Sequence, residues 1–160
     1  MLKPSNISSF SLAILLTIGA GLPTLRPPLK AETPIPLMSM TEIKGGQGGH
    51  YVVKAFINNQ PISVLVDTGA SAVALSAQDA DHVGLHPNLL TYSVPVATAN
   101  GATKAARVKL DKVEIDGVRL DNVDALVLPD GALSGTLLGM SFLSRLSSFK
   151  SEAGVLTLRN

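Results

Sequence analysis

Two glycine-containing dipeptides, each set between apolar runs, restrict this chain more than any other feature. Asp116-Gly117 alone separates Val113-Glu114-Ile115 from Val118-Arg119-Leu120, and Asn100-Gly101 stands between the runs 94–97 and 105–110. A type I′ turn needs positive φ at both central residues, which Asn, Asp and Gly tolerate best, so these dipeptides predict antiparallel hairpins. The rest of the chain beyond residue 50 reads in the same way. Residues 51–57 are Tyr-Val-Val-Lys-Ala-Phe-Ile, Asn58-Asn59-Gln60-Pro61 supplies turn chemistry, and 62–66 is a short apolar run typical of a buried strand. Residues 123–128 form another such run, and 155–158 a last strand. Helical signals are few. Ser76 can cap a short helix over 77–83, with Asp79 in its first turn and Gly84 at its end, and 141–146 reads as a second. Short strands with regular turn signals predict an all-β fold, a barrel or a sandwich of about 110 residues, with one or two short helices.

Composition removes whole classes of function. The 160 residues suit about one domain. Hydrophobic residues are 46% against 16% charged, but Trp is absent and aromatics are 4%, so the core must be aliphatic. Thirteen Lys and Arg against twelve Asp and Glu leave a net charge of +1, which excludes a strongly basic nucleic-acid binder and an acidic tail. With no Cys there is no disulfide, no thiol nucleophile and no cysteine zinc site. His82 and His86 are four apart, but Gly84 lies between them, Pro87 follows, and no Glu adjoins His82. They read as surface residues rather than metal ligands.

The first 22 residues stand apart. Lys3 precedes an apolar stretch over 7–22, densest over 10–21 and interrupted by Ser8, Ser9 and Ser11. It falls short of the roughly 20 apolar residues of a spanning helix and has the form of a signal-peptide core. Two readings stay open: cleavage after Ala20, where Ile18 makes an imperfect small-x-small pattern, or an uncleaved anchor. Either keeps Lys3 in the cytoplasm and exports the remainder. The expected location is the periplasm, tethered to the inner membrane by residues 1–22. Pro23, Pro27, Pro28, Pro34 and Pro36, then Gly45, Gly46, Gly48 and Gly49, mark 23–49 as a linker. The folded domain is then 50–160.

One constellation carries chemistry. Leu65-Val66-Asp67-Thr68-Gly69-Ala70-Ser71 places a carboxylate at the end of an apolar strand, where it is half buried. Thr68 offers a hydroxyl to a neighbouring loop, Gly69 lets backbone N–H groups turn toward the carboxylate, and Ser71 can add a hydrogen bond. Such a loop holds a carboxylate rigidly beside a water molecule.

These residues resemble the retropepsin-like aspartic proteases, whose marks are two hydrophobic residues before Asp-Thr/Ser-Gly and, later, two hydrophobic residues before a Gly and a short helix. Leu137-Leu138-Gly139 followed by Met140-Ser141-Phe142-Leu143 matches the second mark, and Thr98-Ala99-Asn100-Gly101 sits where the family has a flap tip. The resemblance covers roughly residues 49–159 in the right order, and is nearest to bacterial, membrane-anchored, single-domain members. It implies a closed β-barrel, Asp67 as the catalytic acid/base, and Thr68, Gly69, Ala70, Ser71 and Gly139 as support for the active-site loop. It also implies a substrate-binding flap at Thr98, Ala99, Asn100 and Gly101, a peptide or protein substrate, and no metal or cofactor. An ordinary hairpin remains an equal reading of Asn100-Gly101.

Aspartic-protease chemistry needs two carboxyls sharing a proton. This chain has one Asp-Thr-Gly; Asp130-Gly131-Ala132 lacks the hydroxyl residue and follows Pro129, and Asp111, Asp116, Asp121 and Asp124 lack the motif altogether. A two-fold homodimer with one Asp67 from each chain meets the need. In it, the resemblance implies, each Thr68 bonds to the opposite loop. The expected function is therefore a homodimeric aspartic endopeptidase. A catalytically inactive retropepsin-like module for peptide binding or dimerisation is the alternative, and a structural β-domain requires the motif to be coincidence.

Overall fold

The computed structural model describes residues 38–98 and 101–160. The segment 1–22, expected to be a signal peptide or anchor, and most of the expected linker lie outside the described residues. The elements run β1 (Met40–Lys44), β2 (Val52–Ile57), β3 (Gln60–Val66), β4 (Val73–Leu75), α1 (Ala77–His82), β5 (Tyr92–Thr98), β6 (Gly101–Ile115), β7 (Val118–Val127), β8 (Thr136–Leu138), α2 (Met140–Leu143), β9 (Ser148–Glu152) and β10 (Val155–Arg159).

The turn residues act as their chemistry dictates. Asp116 and Gly117 take φ of 44° and 84°, and Ile115 pairs with Val118 directly across them. Asn58 and Asn59 (φ 49° and 69°) join β2 to β3 in the same way. Ala153 and Gly154 (φ 49° and 76°) join β9 to β10. The β5–β6 hairpin differs from the sequence expectation. Thr98 pairs with Gly101, so Gly101 is the first residue of β6 rather than half of the turn, with φ of 112°. Ala99 and Asn100 lie outside the described residues.

Seven strands hydrogen-bond in the order β2-β3-β8-β4-β7-β6-β5, and β2 also pairs with β6 through Phe56↔Glu114 and Ile57↔Val113. That extra pairing closes six strands into a barrel and leaves β5 outside it, which settles the choice between barrel and sandwich. Alternation fills the interior: on β2, Ala55 and Ile57 are fully buried while Val52, Lys54 and Phe56 face out. The core is aliphatic, as the composition requires, apart from Phe142 of α2 at its base.

A second sheet, β1-β10-β9, corrects the linker boundary. Residues 40–44 belong to the fold: β1 pairs antiparallel with β10 from Met40↔Arg159 to Lys44↔Val155. Ile43 packs into the core with Leu156 and Leu158, and Thr41 Oγ1 donates to Asp116 Oδ2 at 3.2 Å. Nothing local marks this strand, because its one strongly apolar inward residue stands beside a Gly-rich stretch and its partner is more than a hundred residues away.

Candidate active site

Asp67 follows the last residue of β3, and its position is set by a strand from far along the chain. β8 runs parallel to β3 (Leu65↔Leu137, Val66↔Leu138) and antiparallel to β4 at Ala74↔Leu137. The strands entering and leaving the loop 67–72 are thus clamped on either side of β8. Asp67 donates its backbone N–H to the Leu138 carbonyl at 3.2 Å, which extends the ladder to the carboxylate-bearing residue.

Within the loop, the Gly69 N–H donates to Asp67 Oδ1 at 2.8 Å, and the Ala70 N–H to the Asp67 carbonyl at 3.3 Å. A Cβ on residue 69 would lie 3.1 Å from Asp67 Oδ1, so Gly allows the amide to approach without crowding the carboxylate. Gly139 lies behind the loop, and Met140 N–H donates to the Ala70 carbonyl at 2.8 Å. Ser141, at the start of α2, completes the support. Its Oγ accepts from the buried Val73 N–H at 2.9 Å and donates to the Asp124 carbonyl at 2.7 Å. One hydroxyl therefore ties the far end of the Asp67 loop to β7.

The half-buried Asp67 carboxylate opens into a groove of about 530 Å³. Small residues of the loop form one wall (Gly69, Ala70, Ser71, Ala72). Val96, Ala97 and Thr98 of β5 form another, and Leu126, Leu128, Leu133 and Leu137 supply aliphatic surface. Among the described residues Asp67 is the one carboxylate lining this groove. Asp130 is exposed and does not line it.

Each residue singled out from the sequence can now be placed. Asp67, Gly69, Ala70, Ser71 and Thr98 meet at the groove; Gly139 is buried behind it; Thr68 is exposed beside it. Gly101 anchors the β5–β6 hairpin by accepting from Thr98 Oγ1 at 2.9 Å, whereas Ala99 and Asn100 of the expected flap lie outside the described residues. Ser141 and the groove leucines Leu126 and Leu128 were not legible as site residues, because only the barrel brings them to Asp67. His82 and His86 are exposed, with His82 Nε2 3.2 Å from the Pro61 carbonyl, and among the described residues no three His, Asp or Glu side chains gather as a metal site. Beyond the groove, a hydrogen bond from Lys109 and its positive charge hold the Asp124 carboxyl below the usual carboxylate range; the two groups are 3.0 Å apart.

Comparison with known proteins places this architecture. Residues 53–145 match the family described as "gag-polyprotein putative aspartyl protease". The chain is 43% identical over 112 residues to an uncharacterized protein encoded in the cobV 5′ region of a Sinorhizobium species, covering 70% of this chain and 48% of that protein. It is 41% identical over 110 residues to an uncharacterized protein of Rickettsia prowazekii (strain Madrid E), covering 69% and 47%. The chain thus spans about half the length of the curated relatives it matches. Among solved structures, a retropepsin-like aspartic protease from Rickettsia conorii superposes with a TM-score of 0.69 at 37% identity, over 76% of this chain and 91% of that one. The EIAV protease, solved with the inhibitor HBY-793, shares the fold at 17% identity, with a TM-score of 0.54 over 69% of this chain and all of that one. With the Asp-Thr-Gly loop clamped by Leu137-Leu138-Gly139 inside a closed barrel, the chain belongs to the retropepsin-like aspartic protease family.

Proposed function

We propose that the chain is one half of a homodimeric aspartic endopeptidase. The observation that carries the reading is a lone carboxylate, Asp67, held by the Gly69 N–H at the mouth of an aliphatic groove. Aspartic-protease chemistry needs two carboxyls in different protonation states, and a two-fold axis beside Asp67 supplies the second from another copy. The ionised Asp67 takes a proton from water as the water oxygen attacks the scissile carbonyl carbon. The protonated Asp67 of the second copy gives its proton to the carbonyl oxygen. The tetrahedral diol then collapses: the second copy's ionised Asp67 takes a proton from one hydroxyl as the C–N bond breaks, the first Asp67 gives its proton to the nitrogen, and a carboxylic acid and an amine leave with the pair returned to its starting form. Water is the nucleophile throughout, so no covalent bond to the enzyme forms.

Thr68 supports the dimer. It is exposed, and among the described residues it makes no side-chain hydrogen bond within its own chain, which leaves its hydroxyl for the opposite loop. The basic and apolar character of residues 1–22 supports export to the periplasm with the membrane at the N-terminal side. Among the described residues no helix is long and apolar enough to cross a membrane. A reporter active only in the cytoplasm, fused after Asn160, is expected to be silent; activity there would remove export from the reading.

The test of the enzyme is incubation of the purified chain with denatured protein from acidic to neutral pH, beside Asp67→Asn. The expected result is cleavage by the native chain alone. Its rate should rise and then fall with pH, because the singly protonated pair is the active form. Activity per chain should also fall on dilution. Peptide binding without cleavage would favour the non-catalytic module. Activity proportional to protein at concentrations where sedimentation shows only monomer would require a second acid within the chain.

A further inference from the structure

The groove continues past its aliphatic part into a charged one. A second depression shares Ser71, Ala72, Val96 and Leu126 with the groove around Asp67 and adds Arg107 and Asp124. Leu126 and Asp124 are two apart on β7 and share one face, and β7 stands three strands from β3, whose end carries Asp67, in the order β3-β8-β4-β7. Arg107 is paired with Leu126 across the β6–β7 ladder, and Lys109 with Asp124.

The charges do not cancel there. Lys109 Nζ is 3.0 Å from Asp124 Oδ1, so that carboxylate already has its cation. The charges of Arg107 and Arg145 also act on Asp124, and Arg145 directs its guanidinium to the Asn122 and Asp121 carbonyls. Arg107 is exposed and, among the described residues, makes neither a hydrogen bond nor a salt bridge. Among the described residues lining this end of the cleft, Arg107 thus presents a guanidinium with no carboxylate bound to it, and its fork of donors matches one.

We propose that Arg107 is a specificity-determining residue that selects peptides with an acidic side chain a few positions from the scissile bond. This rests on the endopeptidase reading above and adds the substrate class. An extended peptide lying along the groove presents alternate side chains to one wall, so aliphatic residues beside Asp67 and a Glu or Asp farther along would both be accommodated. In a two-fold dimer one Arg107 stands at each end of the cleft, so the preference is expected on both sides of the scissile bond.

The experiment is a positional scan. An aliphatic parent peptide carries Glu, Gln or Lys at each position out to four residues on either side of the cleaved bond, and kcat/KM is measured with the native chain, Arg107→Gln and Arg107→Glu. At the Arg107 position Glu should exceed Gln by about threefold to tenfold, the scale of a partly exposed charge-assisted pair. Arg107→Gln should bring that ratio to about one, and Arg107→Glu should make Lys the preferred residue. The same peptides titrated onto Asp67→Asn should show the same ranking in Kd. A Glu preference that survives in Arg107→Gln, or no preference at any position, overturns the proposal. Absence of any Asp67-dependent cleavage overturns the endopeptidase reading instead, and the Kd ranking then decides whether Arg107 recognises acidic peptides.

Discussion

Gly139 lies directly against the carbonyl of Ala70: a Cβ at position 139 would stand 2.7 Å from that oxygen, and the Ala72 carbonyl is closer still. Both contacts are backbone, held by the β3–β8–β4 ladder, so neither neighbour can turn away. The residue behind the Asp67 loop must therefore lack a side chain for steric reasons, whatever chemistry the loop performs.

Gly139→Ala is accordingly expected to destabilise the domain by about 3 kcal/mol or more, at the upper end of overpacking costs. Equilibrium urea unfolding measures it. A midpoint close to that of the native chain would show that the loop can shift aside.

Asp67→Asn should separate chemistry from structure. The Asn side-chain oxygen can still accept the Gly69 N–H that now bonds Asp67 Oδ1 at 2.8 Å, so the loop should persist. Cleavage should fall by at least about 10³-fold, the scale of lost general acid-base catalysis, with unfolding little changed. Cleavage at the native rate in the purified variant would remove Asp67 from the mechanism.

Ser141→Ala removes one hydroxyl that serves two backbone groups, the Val73 N–H and the Asp124 carbonyl. Val73 is fully buried, so its N–H loses a partner where water is scarce. We expect a loss of about 1–3 kcal/mol, seen in urea unfolding, together with slower cleavage as the Asp67 loop loosens. Equal stability in Ser141→Ala would show that water replaces the hydroxyl.

Thr68→Ala tests the proposed brace between copies. Each chain would lose one hydrogen bond of about 1 kcal/mol, so two per dimer should raise the dissociation constant roughly 30-fold. The monomer fold should be unaffected, since Thr68 is exposed. Sedimentation over a range of concentrations reads the constant directly, and an unchanged value would rule out the brace.

The Lys109–Asp124 pair gives a pH signature. Lys109 lowers the Asp124 carboxyl below its ordinary range, so the folded state holds the ionised form more tightly than the unfolded chain does. The stabilisation is present above the unfolded value of about 3.9 and is lost as pH falls through the lowered folded value. Melting temperatures of the native chain and Asp124→Asn should differ slightly at neutral pH, converge in acid, and converge also in about 1 M salt, because both groups are solvent-exposed. A difference that persists in acid would assign it to something other than this ion pair.

What the amino-acid sequence determined by itself was whatever depends on neighbours in the chain. Asp116-Gly117 and Asn58-Asn59 adopt positive φ because of their own chemistry, and Ser76 caps α1 by accepting the Asp79 N–H at 3.1 Å, three residues on. The strand over 52–57 was legible from its β-branched and aromatic residues, although its core face was not, since the exposed Val52 and Phe56 are as apolar as the buried Ala55 and Ile57. The Asp-Thr-Gly loop was legible too, because an apolar strand ending in a carboxylate and a Gly is an unusual local combination. Tertiary structure decided the rest. β4 and β8 have three residues each, too few to show a period, and exist because each completes the other's ladder. β1 and β9 are mostly polar and gain their strand form from β10 between them. β6 runs unbroken through the polar Asp111-Lys112 pair, where Asn58 Oδ1 accepts the Asp111 N–H at 3.0 Å from a turn 53 residues earlier. Ser141, Leu126 and Arg107 reach the groove only through the closure of β2 on β6 and the clamp of β8. Those pairings join residues far apart in the chain, and no window of neighbouring residues contains both partners.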